Sequence, residues 1–174
     1  MILAIDVHYQ QGDDRGGAVA AGVCFNDWTQ PVADAVYTTY LHTVAAYESG
    51  QFYKRELPCI LELLSVHTLT PDIIIVDGYV DFGKAEKALG TYLYEALLGS
   101  VGIIGVAKNR FLGISPETEV FRGQSNKPLF VTAIGIDADL ARQYIITMAG
   151  EYRIPDLLKC ADSSCREGLK KIYS

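Results

Sequence analysis

Asp6 sits within the apolar run "MILAIDVHY", and Asp77 closes the β-branched run "DIIIVDG". A surface loop can hold an aspartate with no such run before it, whereas a strand tip in an α/β sheet is where binding and chemistry usually gather. Two aspartates held close together repel, and each is pushed toward its protonated form unless a cation lies between them. Glu56 is a third acid, in "YKRELPCILELLSVH", where Pro58 is tolerable only in a first helical turn and so puts the glutamate near a helix N-terminus. Three such carboxylates suit Mg²⁺, with Mn²⁺ as a substitute, because the ion takes a few hard oxygen ligands together with waters and substrate phosphate. The chemistry to expect is phosphodiester hydrolysis, with a water activated and the leaving oxygen stabilised. Each acid also has a purely structural reading. Asp77 can cap a turn through "DG", Asp6 can be a satisfied buried carboxylate, and Glu56 can simply complement a helix dipole.

The elements that must position these acids follow from patterning. "MILAIDVHY" and "GAVAAGVCF" read as strands joined through the turn-forming "QQGDDRGG", and "AVYTTYLHTV" as a third strand, giving an antiparallel meander. The Pro58 helix follows, then the strand ending in Asp77, a helix across "KAEKALGTYLYEALLG" and a buried strand "VGIIGVAK". Strand, helix, strand in that order implies a right-handed crossover between parallel neighbours. "TEVFRG" and "KPLFVTAIG" are further candidate strands. "DADLARQYIITMAGEY" is a helix with an Asp start, and "RIPDLLKCADSSCREGLKKIY" an amphipathic, basic-ended helix. The predicted fold class is α/β and RNase H-like: a mixed β-sheet with an antiparallel N-terminal meander and flanking helices, in one domain over residues 1–174. In that topology the first and fourth strands are parallel neighbours, so Asp6 and Asp77 meet.

Composition narrows the function classes. A hydrophobic content of 49% with 21% charged residues excludes a largely disordered chain. The apolar runs are strand-length, no basic leader precedes "MILAIDVHYQ", and a cytoplasmic protein without membrane contact is expected, with no protein partner predicted. Cys24, Cys59, Cys160 and Cys165 read as reduced thiols, since "CADSSC" lacks the spacing of a structural zinc site. A net charge of −6 argues against indiscriminate binding to phosphate backbones, while leaving room for a local basic groove. Lys54 and Arg55, Lys108 and Arg110, and Arg122 with Lys127 form candidate pieces of such a track, which Lys159, Arg166, Lys170 and Lys171 would extend.

Six segments, in order, resemble endonuclease V over nearly the whole length. They are "DVHY" with "AVAAGVCF"; "YESGQFYKRELP", similar to the family's Tyr-Ile-Pro-Gly and Phe-Arg-Glu-x-Pro; "PDIIIVDG"; "GIIGVAK"; "PLFV"; and "EYRIPDLLKCAD", similar to its Gly-Tyr-Arg-Leu-Pro-Glu-Pro and Ala-Asp. The resemblance implies an RNase H-like, Mg²⁺-dependent nuclease that recognises inosine or deoxyinosine in DNA or RNA and cuts a short way 3′ of it. It places the metal on Asp6, Glu56 and Asp77, and gives Lys108 a phosphate-neutralising or water-orienting role. Main-chain approach to a flipped base falls to Gly50 and Gly78, and filling of the gap left by the base to Tyr47. Lys54 and Arg110 are candidate substrate contacts only as members of the basic track, by their place beside these motifs.

The chain departs from the family pattern in three places. "YESG" replaces the apolar, proline-stiffened wedge around Tyr47. "AIGIDADLA" carries no counterpart of the family's Gly-His-Arg, whose histidine helps the active site, and "VDGYV" lacks the histidine that usually follows Asp-Gly. His8 is one candidate replacement, because strand alternation puts it on the face of Asp6 with Cα atoms roughly 6–7 Å apart. Asp137 or Asp139 is the other, as a fourth carboxylate, although Asp139 also reads as the N-cap of "LARQYI". His42 and His67 read as structural.

Overall fold

The computed structural model describes residues 1–10, 16–46, 48–83 and 86–173. Strands β1 (Ile2–Tyr9), β2 (Ala18–Phe25) and β3 (Ala35–Leu41) form the antiparallel meander. Helix α1 (Tyr53–Val66) leads into β4 (Ile73–Asp77), and α2 (Leu89–Ala96) crosses over to β5 (Gly102–Ala107). The short β6 (Glu119–Val120), β7 (Leu129–Ile134), α3 (Ala138–Thr147) and α4 (Asp156–Tyr173) complete the chain. The strands make one seven-stranded sheet in the order β3-β2-β1-β4-β5-β7-β6, with β1, β4 and β5 parallel and the remaining pairs antiparallel. This is the mixed, RNase H-like sheet that the patterning predicts. No helix among the described residues is long and apolar enough to cross a membrane.

Helices cover both faces. Leu3, Ile5 and Val7 of β1 and Ile74 and Val76 of β4 pack with Ile60, Leu63 and Leu93 beneath α1 and α2. Ile2, Ala4 and Ile75 point the other way, toward Ala141, Ile145, Leu157 and Ala161 of α3 and α4. β2 is buried along its whole length, which explains its run of small residues: a Cβ on Gly22 would meet Leu63 of α1 at 3.0 Å and Leu3 at 3.1 Å. On the opposite face a Cβ on Gly168 of α4 would meet Val19 at 3.0 Å. All four cysteines are free, three of them buried.

Several element boundaries differ from the sequence-based expectation, each for a local reason. α2 starts at Leu89 rather than in the preceding "KAEK". Asp81 and Lys87 form a β-bridge there, and the backbone of Gly90 rests against Val80, where even a methyl group would sit 2.7 Å away. β6 spans two residues because Arg122 turns inward. Asp137, not Asp139, caps α3, its Oδ1 accepting the N–H of Leu140 at 2.9 Å, while Asp139 pairs with Arg142 on the surface.

Arg122 is the largest correction. It does not belong to a phosphate track: it is 6% exposed, and its guanidinium donates to the carbonyls of Ile146, Met148, Gly150, Tyr152 and Arg153. One side chain thus satisfies the carbonyls of the segment joining α3 to α4, which has no partner strand of its own. Replacing Arg122 with Met, which keeps the stem but removes all five donors, should cost roughly 3 kcal/mol of stability. Urea unfolding measures this as a lowered midpoint, and an unchanged midpoint would contradict the clamp.

Candidate active site

β1 and β4 run parallel with Ala4 opposite Ile75 and Ile5 opposite Val76, so the next step of the register sets Asp6 beside Asp77. Both are one position beyond residues of alternating orientation, which puts them on the α4 side of the sheet, about one strand spacing of 4.8 Å apart. Lys108 follows β5 by one residue and shares the face of Val106, the residue opposite Asp77. Its Nζ donates to Oδ2 of Asp77 at 2.5 Å. Glu56 reaches the same edge from the other layer. It lies in the first turn of α1 and is 4% exposed.

The electrostatics of the group are those of crowded like charges. Burial, and then the charge of Asp77, pushes the carboxyl of Asp6 up to about 7. Burial, then Asp6 and Asp77, holds Glu56 well above the usual carboxylate range. Burial opposes charge on Lys108, but its hydrogen bond to Asp77 and the attraction of the surrounding acids outweigh this, so it stays protonated. The three acids therefore converge far enough to perturb one another. They do not converge to ligand distance: among the described residues no three His, Cys, Asp or Glu side chains are placed to share one ion. Repulsion is relieved locally instead, Asp77 turning to Lys108 and Asp6 accepting the N–H of Val7 at 2.8 Å.

Two cavities meet at Asp77. The smaller, of about 30 Å³, lies between Asp6, Asp77 and Lys108 and the apolar Ile154 and Leu158. It has the size of a site for a water or an ion. The larger, of about 270 Å³, opens on the α1 side and is lined by Gly50, Glu56, Asp77 and Gly78 with Phe52, Tyr79, Phe82 and Phe111. Gly50 has φ +76° and Gly78 φ +152°, and a Cβ at either would meet nothing within 4 Å. Both positions thus require glycine conformationally while leaving bare backbone at the cavity wall. Tyr79, in the stretch where a histidine was missed, is buried; its hydroxyl donates to the carbonyl of Asn109 at 2.7 Å and accepts the N–H of Phe111 at 3.1 Å. Phe111 and Phe82 stack at 4.2 Å on the same wall.

The remaining candidates divide clearly. His8 shares the face of Asp6, and burial, then the charge of Arg166, lowers its basicity below that of an ordinary histidine, with Asp162 opposing. Asp137 and Asp139 are not a fourth carboxylate here. β7 is antiparallel to β5, with Ile134 opposite Ile103, so the start of α3 lies at the edge of the sheet opposite Asp77. The fourth acid is Asp162 of α4, whose charge acts on Asp6, His8 and Lys108, and which holds Arg166 through two contacts of 2.9 and 3.0 Å. It had a legible signal, an acid on the inward stripe Leu158, Asp162, Cys165 and Leu169 of an amphipathic helix. Lys54 is paired with Glu48 at 2.9 Å on the surface. Arg110 is held by Glu119 and the carbonyl of Ile114, and Arg55 is buried against the ring of Tyr9. Tyr47 lies outside the described residues.

An RNase H-like sheet with acids side by side on two neighbouring parallel strands, and a further acid reaching over each layer, defines a class of nucleic-acid hydrolases. The chain belongs to one family within it: the endonuclease V family model matches residues 1–126. The endonuclease V of Streptomyces avermitilis is 31% identical over 192 residues, covering 98% of this chain and 81% of the relative. A crystal structure of endonuclease V from that species superposes with a TM-score of 0.81 at 28% identity, covering 99% of this chain and 82% of that one. The endonuclease V of Ciona intestinalis, solved with a 24mer DNA containing an inosine followed by a ribo-adenosine, shares the fold with a TM-score of 0.82 at 21% identity, covering 98% and 86%.

The raised carboxyls tie stability to pH. Asp6 ionises near 3.9 in an unfolded chain and near 7 when folded, so the folded state binds the extra proton between those values. Its stabilising contribution is complete below the lower value and lost as pH rises through 7. In EDTA, the melting temperature of the wild type should therefore drop by several degrees more than that of Asp6→Asn between pH 5 and 8. Parallel profiles would show that Asp6 is not strained by its neighbours.

Proposed function

We propose that the protein is a divalent-metal-dependent endonuclease that hydrolyses a phosphodiester near inosine or deoxyinosine in DNA or RNA. The observation that carries this reading is the pairing of Asp6 with Asp77 beside Lys108, at the mouth of an aromatic cavity with two bare glycines. Family membership and the inosine-containing DNA bound to the Ciona relative support the substrate.

The donor set fits Mg²⁺ or Mn²⁺: hard carboxylate oxygens whose mutual repulsion only a cation relieves fully. Asp6, Asp77 and Glu56 would have to close from their present separation to hold it, with Asp162 beside them. When bound, the ion supplies a water acidic enough to attack at neutral pH and neutralises charge on the leaving oxygen. Lys108, protonated by its acidic neighbours, acts as a fixed positive charge toward the phosphate rather than as a base. In the larger cavity the aromatic rings stack against an extruded base, while the main chain at Gly50 and Gly78 reads its edge. Extrusion is required because a base inside a duplex hides that edge.

Pure protein incubated with inosine-containing single-stranded DNA and RNA and Mg²⁺ or Mn²⁺ should release a defined product. Asp77→Asn should reduce it by roughly a hundredfold or more, and Lys108→Met by a similar factor in kcat with little change in KM. Saturating Mn²⁺ should raise wild-type stability by about 2.7 kcal/mol at a hundred times its Kd, and should not do so for Asp77→Asn. Binding without product would favour a non-catalytic relative, and product without preference for inosine a nuclease for another lesion.

A further inference from the structure

A third, open groove of about 710 Å³ is lined by Gln124, Ser125, Glu151, Tyr152 and Arg153. It lies between the turn connecting β6 to β7 and the segment connecting α3 to α4. Because Ala107 at the end of β5 is opposite Phe130 near the start of β7, this turn stands at the same sheet edge as Lys108. Arg153 joins the two places directly, donating to the carbonyls of Lys108 and, at 2.7 Å, of Pro128.

The groove is braced by backbone contacts, yet it displays an aromatic ring to solvent. Arg122 fixes the carbonyls of Tyr152 and Arg153, and a Cβ on Gly123 would meet the carbonyl oxygen of Glu151 at 2.4 Å, so the turn and the segment are in close backbone contact. Tyr152 is nonetheless 66% exposed, and the ammonium of Lys159 stands 5.1 Å from its ring centroid. Apolar packing does not explain a large ring held outward on so braced a loop. The ammonium covers one face of the ring, and the exposure of the residue leaves the other face for an unpaired base, with the cation near the adjoining phosphate. Lys127 follows in the same turn, where its backbone engages the hydroxyl of Ser125 at 3.1 and 3.2 Å, and Gln124 offers an amide of the kind that binds sugar and phosphate.

We propose that this groove is a second nucleotide subsite, in which Tyr152 stacks an unpaired base of the substrate strand and Lys159 holds its phosphate. The inference rests on the endonuclease reading for its ligand. β7 is two strand spacings from β4, roughly 10 Å, so the stacked base is a few nucleotides from the phosphate that Lys108 faces.

The test is fluorescence anisotropy of a short fluorescein-labelled single-stranded oligodeoxynucleotide without inosine, in EDTA so that cleavage plays no part. Tyr152→Ala should weaken binding about tenfold, within the range for one base–aromatic stack, and Tyr152→Phe should bind like the wild type. Lys159→Gln should lower the slope of log K against log salt by about 0.7, the value for one single-strand phosphate. Unchanged affinity in Tyr152→Ala, or equal losses in Ala and Phe variants, would overturn the subsite. Cleavage then separates the two readings. If inosine oligonucleotides shortened one nucleotide at a time reach a length where the wild type slows while Tyr152→Ala does not change, the subsite lies on the substrate path. Wild-type cleavage that Tyr152→Ala matches at every length overturns the subsite alone. No wild-type cleavage at any length overturns the endonuclease reading, while the anisotropy result still decides whether Tyr152 stacks a base.

Discussion

Parallel pairing of β1 with β4 sets Asp6 beside Asp77, and no backbone adjustment short of a register slip can part them. Such a slip would turn every core residue of β1 to the wrong face, so the buried alternation of Leu3, Ile5 and Val7 against Ile2 and Ala4 enforces the juxtaposition of charge. The hydrophobic core thus sustains an unfavourable contact at its edge. Neighbouring side chains answer that contact: Lys108 sits on Asp77, Val7 donates its N–H to Asp6, and Glu56 is pushed toward its neutral form. A stability-driven sequence would replace one of these acids, so their joint presence marks a site whose purpose lies outside the fold.

Each layer contributes to the edge without sharing a core. α1 brings Glu56 from one side and α4 brings Asp162 from the other, while Asp77 forms part of the wall of both cavities. The smaller cavity sets Asp6, Asp77 and Lys108 among apolar residues of the sheet and is closed by Ile154 and Leu158. The larger is aromatic and backbone-lined. The small acid-lined cavity and the aromatic one therefore occupy opposite faces of one strand tip. The precision this demands is supplied at a distance, where Arg122 holds the segment that presents Arg153, and Arg153 in turn fixes the carbonyl of Lys108.

Asp6, Glu56 and Asp77 were legible in the sequence because each sits in a strongly patterned element and strand order alone brought the two aspartates together, whereas Lys108 drew its role from the family resemblance. The meander, the crossover and the helical tail were legible for the same reason. Charge by itself misled. Arg55, Arg110 and Arg122 look alike in a sequence, yet one is buried against Tyr9, one is held by Glu119, and one is a clamp for five carbonyls. Which carbonyls lack strand partners depends on tertiary path, and no local pattern reports it. Asp162 is less legible for a different reason: sequence signals for acids concentrate at helix starts, whereas this acid lies mid-helix on an apolar stripe.

The absent family histidines carry less weight once the sheet is oriented. "AIGIDADLA" runs from the end of β7 into α3, and the antiparallel register of β7 with β5 places that junction where β4 and β5 begin. A Cβ on Gly102, the first residue of β5, would be 3.5 Å from Ile136 and 3.7 Å from the carbonyl of Asp72, both far from the tip that carries Asp77. A side chain at Ile136 or Asp137 therefore faces the wrong edge to act on the Asp6–Asp77 pair, and losing a histidine there removes nothing from the acidic group. The second absence falls at Tyr79, where the ring closes the larger cavity and its hydroxyl fastens the Asn109–Phe111 loop, so the position has exchanged an ionisable group for a structural one. What the chain retains at the working edge is three mutually strained carboxylates, a protonated lysine and Asp162 opposite.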